Sequence, residues 1–191
     1  MRQPLEDGYV TISRTRQSVV FPARFTLVAS TNPCPCGYFG DTLQPCTCSP
    51  RQREQYWAKL SGPLMDRIDL QVVVNRLKPE EITSQTTGED SDTVRQRVLK
   101  AREIAIKRFK NEPKVSCNAE MSSAHLRKFC KLDDNTRKLI EAAITKLGLS
   151  ARASDRILKV ARTIADLEHQ SAIQSPQVAE AIQYRTIDRM H

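Results

Sequence analysis

The chain has 191 residues, 27 % of them charged and 39 % hydrophobic. That balance excludes wholesale disorder and fits one large domain or two small ones. Thirty Lys and Arg against 22 Asp and Glu give a formal charge of +8 and a pI near 9.4, which permits a nucleic-acid partner through phosphate contact without requiring one.

No run approaches the roughly 20 apolar residues of a membrane span. Met1–Gly8 carries acids and a proline where a signal peptide would be apolar. A cytoplasmic protein with no membrane contact is the expectation. In that compartment six cysteines point to metal or core packing before disulfides. At 5 % aromatics, a sheet that stacks single-stranded bases on exposed rings is not expected.

In chain order, Val10–Ser13 and Val19–Phe21 flank a polar tip, Arg14-Thr15-Arg16-Gln17, and predict a β-hairpin with a basic end. Phe25–Ala29 is a short apolar run expected to form a strand buried on both faces, ending at Ser30-Thr31-Asn32-Pro33. Asn32 then stands where a strand gives way to a loop, the place where open α/β sheets meet ligands. Residues 33–50 form a loop rich in Cys, Pro and Gly. Arg51–Leu60 reads as a short helix, Ile68–Val74 as another strand, and residues 83–91 as a linker.

Everything after the linker reads as helix. Val94, Val98, Ala101, Ala105 and Phe109 recur at helical spacing behind a cap at Asp92. A shorter helix follows around His125–Cys130, then one over Asp134–Leu147 stopped by Gly148. A long helix starts at Ser150, and a last one at Ser175-Pro176. The fold class is therefore α/β followed by all-α, with a boundary in the linker.

Two pairs of cysteines stand out within the loop. Cys34 and Cys36 form one C-x-C, Cys46 and Cys48 another, and four thiolates suffice to close a tetrahedral zinc site that would staple a loop without other structure. C-x-C is a tighter spacing than the usual C-x-x-C, and the alternatives are four packing cysteines or reversible disulfides. Cys117 and Cys130 are expected to pack between helices, and His125 to be exposed or satisfied locally.

The runs Arg2-Gln3-Pro4-Leu5-Glu6-Asp7-Gly8, Asn32-Pro33-Cys34-Pro35-Cys36-Gly37-Tyr38, Ser61-Gly62-Pro63-Leu64-Met65-Asp66-Arg67-Ile68-Asp69 and Leu149-Ser150-Ala151-Arg152-Ala153 occur in the order of the magnesium-chelatase-like AAA+ ATPases of the ComM/YifB type. The segment Ile157–Glu168 continues that resemblance, which covers nearly the whole chain. It implies that residues 1–82 are the distal part of a P-loop NTPase core and residues 92–191 its helical lid. It implies that Asn32 is the sensor 1 that positions water, Arg67 the arginine finger reaching a neighbouring subunit, and Arg152 the sensor 2 that touches the γ-phosphate.

Each residue also has a plainer reading: Asn32 as a turn former, Arg67 as a surface ion pair between Asp66 and Asp69, Arg14 and Arg16 as a solvated turn. Arg152 sits in a first helical turn, against the helix dipole, which hints at a task beyond stability. In related ring motors a hairpin before sensor 1 points into the channel, so the resemblance offers Arg14 and Arg16 as phosphate contacts on DNA.

The resemblance further implies a hexameric ring working with ATP and magnesium on DNA, in branch migration during natural transformation. The alternatives are a chelatase-type ATPase driving metal insertion, and a zinc-stapled, non-catalytic DNA-binding module. None of the six glycines opens a G-x-x-x-x-G-K-[ST] loop. In the family that loop and the Walker B acids precede the point where this sequence starts, so it is expected to be a C-terminal fragment that does not turn over ATP alone.

Overall fold

A computed structural model describes residues 2–14, 17–60, 62–83 and 88–185. They divide into two compact units. The first holds the residues before Asp69 together with Val74–Arg76, and the second holds Asp69–Val73 and the residues from Leu77 onward.

The first unit opens with a short helix, α1 (Arg2–Asp7), and an antiparallel hairpin of β1 (Tyr9–Arg14) and β2 (Gln17–Pro22). The register runs from Tyr9 opposite Pro22 to Arg14 opposite Gln17. Gly8, at φ 71°, turns the chain from helix into hairpin, a conformation that costs glycine nothing. Pro22 ends the ribbon, as a residue without an N–H must where pairing would otherwise continue. Both faces of the hairpin are largely exposed, Ile12, Val20 and Phe21 among them. The cysteine loop follows, then α2 (Pro50–Trp57), capped by Ser49 in a reciprocal box with Gln52, and α3 (Gly62–Met65).

Two expected strands are not strands here. Phe25–Ala29 and Ile68–Val74 carry no ladder, and Val28 and Val74 are each 89 % exposed. A strand needs a hydrogen-bonded neighbour to satisfy its backbone, and among the described residues only β1 and β2 supply one another with that pairing. Periodicity identified segments suited to a buried sheet, but the sheet itself is not made from these residues.

The second unit is helical: α4 (Pro79–Thr83), α5 (Ser91–Arg108), α6 (Ser123–Phe129), α7 (Asp134–Leu147), α8 (Ala151–Leu167) and α9 (Ser175–Gln183), with a 3₁₀ turn at Asn118–Glu120. The starts follow from side-chain caps. Asp90, not Asp92, caps α5, and Ser122, Asp133 and Ser150 cap α6, α7 and α8. Gly148, at φ 48°, ends α7 in the left-handed region.

Helix α8 is the axis of this unit. Ala153, Ile157, Ala161, Ile164 and Ala165 bury one stripe, joined by Ala105 of α5, Phe109 at its C-terminal cap, Leu126 of α6, Ile140 of α7 and Val178 and Ala181 of α9. Phe109 and Phe129 meet edge to face at 5.4 Å. Only the C-terminal half of α5 joins this core. Val94 and Val98, expected to face inward, are 37 % and 42 % exposed. Among the described residues no helix is long and apolar enough to cross a membrane.

Candidate metal centre and nucleotide-sensing residues

The cysteine loop folds on itself through local turns. The Gly37 amide donates to the Cys34 carbonyl at 3.0 Å, and Gly37 and Gly40 both sit at φ 84°. A side chain at Gly37 would be strained on those grounds alone, and would also come within 4.0 Å of the Asn32 carboxamide. Asp41 accepts from the amides of Leu43 and Gln44 and closes the next turn. The Leu43 and Gln44 N–H groups, with Arg76 nearby, hold its carboxyl below the usual aspartate value.

These turns bring the four sulfurs together. Cys34 Sγ lies 3.3 Å from Cys36 Sγ and 3.7 Å from Cys46 Sγ, and Cys36 Sγ lies 3.6 Å from Cys46 Sγ. Cys48 completes the set, its sulfur accepting the Cys36 amide at 3.3 Å, and all four ligand atoms lie within 4.8 Å of one another. All four are free thiols. Their chemistry is already divided: hydrogen bonding, first from the Tyr38 backbone, pulls Cys36 down to about 5, whereas desolvation pushes Cys48 up to about 12. Among the described residues this is the one group of three or more His, Cys, Asp or Glu side chains close enough to share a metal ion.

Helix α2 backs the loop. Trp57 Nε1 donates to the Pro33 carbonyl at 2.9 Å, and Arg53 Nη1 donates to the Cys48 carbonyl at 2.7 Å while its guanidinium lies 4.6 Å from the Phe39 ring centroid. Asn32 stands two residues before Cys34, next to the Pro33 whose carbonyl Trp57 holds. Its side chain is exposed, and the Thr31 hydroxyl beside it lies 3.1 Å from that of Tyr56.

The other expected site residues are held by other elements of the chain. Arg67 follows α3 and is only 15 % exposed, donating to the Pro63 carbonyl and to the Glu6 carboxylate. The Glu6 carboxylate comes from sixty-one residues upstream, a partner that sequence proximity does not offer. Arg14 is exposed at the end of β1, and Arg16 lies outside the described residues. Arg152 belongs to the helical unit, exposed in the first turn of α8. One turn further, Arg156 reaches the Asp69 carboxylate, and the Gln71 amide donates to the Tyr184 carbonyl at 2.8 Å. The segment directly after the Arg67 motif is held to the helical unit by these two links, which no local pattern announces.

Sequence reading also missed a buried charge network. Asp166, 1 % exposed, accepts from both terminal nitrogens of Arg108, from Asn118 and from Arg162. Arg162, 2 % exposed, also donates to the Gln170 and Ser171 carbonyls. Burial lowers the Arg162 pKa while the Asp166 charge opposes that shift. The two acceptor carbonyls tie the turn after α8 to the helix, a structural task. His125 is satisfied by Ser122 and Glu112, and Cys130 is buried against α8, as expected of both.

Comparison with known families agrees along the chain. Residues 1–82 match the family described as magnesium chelatase, subunit ChlI, and residues 88–185 match its C-terminal region. The chain is 44 % identical over 192 residues to the uncharacterized protein YifB of Escherichia coli, and 44 % identical over 193 residues to the competence protein ComM of Haemophilus influenzae. Each alignment covers 100 % of this chain and 36 % of the relative. An uncharacterized protein of Mycobacterium bovis is 38 % identical over 185 residues, covering 97 % of the chain and again 36 % of the relative. The chain therefore spans about a third of the length of these relatives, and it belongs to the magnesium-chelatase ChlI family, similar throughout to ComM and YifB.

Proposed function

We propose that this chain is the C-terminal portion of an ATP- and magnesium-dependent AAA+ ring subunit, hexameric when complete, that moves on or remodels DNA in branch migration during natural transformation. Residues 1–82 form the distal part of the ATPase core, 83–91 the linker and 92–191 the lid. The observation that carries this reading is the similarity to competence protein ComM over the whole chain. The exposed apolar segments Phe25–Ala29 and Leu70–Val74 support it, since they have the composition of interior strands awaiting a sheet.

The roles follow from charge and shape. Asn32 presents an uncharged amide able to orient an attacking water. Arg67 and Arg152 offer planar guanidinium groups that grip phosphate oxygens bidentately and never lose their charge. In the ring, Arg67 exchanges the Glu6 carboxylate for the γ-phosphate of the neighbouring subunit's nucleotide. The four clustered sulfurs are no match for magnesium, which seeks oxygen ligands. Arg14, at the end of β1, and Arg16 contact DNA phosphates.

The test is steady-state ATP hydrolysis by the full-length protein with and without DNA. DNA should stimulate turnover, binding should weaken steeply with salt, and Arg67→Ala should lower kcat roughly a thousandfold. Mixing Arg67→Ala subunits with subunits defective in nucleotide binding should restore part of the activity, since a finger acts across the interface. This chain alone should not hydrolyse ATP. The family description favours one rival, an ATPase subunit driving metal insertion into a porphyrin. Turnover indifferent to DNA but stimulated by a porphyrin-chelatase partner would replace the DNA reading with that one.

A further inference from the structure

We propose that Cys34, Cys36, Cys46 and Cys48 bind a single zinc ion as four thiolates, a structural site that holds the loop of residues 33–49 in its fold. The inference is independent of the motor reading.

Geometry carries it first. Four sulfurs about 2.3 Å from a tetrahedral zinc lie roughly 3.8 Å from one another. The separations of 3.3, 3.6 and 3.7 Å among Cys34, Cys36 and Cys46 cluster near that edge, and Cys48 falls within the same 4.8 Å envelope. A disulfide would require about 2.05 Å, and no pair among the four is bonded. Three mutually close sulfurs also cannot be resolved into pairs, because Cys34, Cys36 and Cys46 each touch the other two.

The donor set selects the ion. Soft thiolates favour zinc over magnesium or calcium, which seek oxygen. Four protein ligands leave no position for water or substrate, the arrangement of a structural and not a catalytic site. The surroundings suit the negative charge that four thiolates keep after a dication binds: the Cys36 amide already points at Cys48 Sγ, and the Arg53 guanidinium is bonded to the Cys48 carbonyl.

Need argues for it as well. Residues 33–49 contain no helix or strand, and Cys34 is the one fully buried residue among those described in the first unit. A metal supplies the cross-linking that an apolar core does not supply there.

The test is metal content by elemental mass spectrometry on the chain purified without added metal, followed by cobalt(II) titration of the metal-free protein. We expect about one zinc per chain, four thiols that react only after chelation, and the intense visible absorption of tetrahedral cobalt–thiolate. Cys48→Ser should weaken cobalt binding at least tenfold, while Cys117→Ser, outside the cluster, should leave it unchanged. The wild-type titration stands even if the Cys48 variant fails to fold. No zinc and six freely titrating thiols in the folded protein as purified, disulfides among the four, or a six-coordinate cobalt spectrum would each overturn the proposal. So would equal metal binding by a Cys34→Ser, Cys48→Ser double variant. None of these outcomes bears on ATP turnover, so the two readings fail separately.

Discussion

The two units of this chain are stabilised by different means. In the helical unit, five helices and a 3₁₀ turn close over a continuous apolar core, and a buried Asp166 ties three elements together through Arg108, Arg162 and Asn118. In the first unit Cys34 is the only described residue that is fully buried, and the hairpin exposes Val20 and Phe21 to solvent. One region follows the common rule that stability scales with buried apolar area. The other is organised by turns, caps and a knot of sulfur. Fold within one chain can therefore be specified at two levels, and perturbations should separate them.

Metal removal should separate them most sharply. Chelation is expected to raise protease cleavage within residues 33–49 at least tenfold, while the far-UV circular dichroism melt of the helical unit stays in place. A common loss of both would mean that the units share a cooperative transition.

The reverse experiment is Asp166→Ala. It leaves the buried Arg162 and the mostly buried Arg108 without their carboxylate, a change that costs about 3–5 kcal/mol when a buried pair loses one partner. The helical melt should fall steeply with metal content unchanged.

Gly148→Ala gives a smaller effect of roughly 1–2 kcal/mol, because a Cβ is disfavoured at φ 48°. It should be read in the helical transition only.

Acid gives the mildest contrast. Asp90, Asp133 and Glu112 all have lowered pKa values, from hydrogen bonds first to Thr93, to Thr136 and to Lys128 respectively. A depressed carboxylate contributes stability that is complete above its unfolded value and lost as pH falls through the folded one. Helical stability should hold down to the ordinary values of 3.8 and 4.5 and decline below them. Protons compete directly with metal for thiolate, so a pH titration should release the metal before the helices melt.

The same division marks what could be read in advance. Helices α7, α8 and α9 were legible nearly to the residue, because Ser150, Gly148 and Ser175-Pro176 are local signals with local causes. The cysteine cluster was legible because two C-x-C pairs leave few other interpretations. Strand assignments at Phe25–Ala29 and Ile68–Val74 failed because a strand is defined by its neighbour, and apolar composition carries no information on whether that neighbour is at hand. The Arg67–Glu6 and Arg108–Asp166 pairs join residues sixty-one and fifty-eight positions apart, and charge patterning reports only what lies within a few residues.

Trp57 is the only tryptophan in the sequence, and its indole N–H is bonded to the carbonyl of Pro33, the residue preceding Cys34. The chain thus carries a built-in optical probe of the cysteine loop, and excitation at the red edge of the indole band, beyond tyrosine absorption, leaves the helical unit silent because it has no tryptophan. Emission wavelength and quenching by acrylamide will follow the state of that loop at its contact with Trp57, without a label, in the same cuvette in which metal is added or withdrawn.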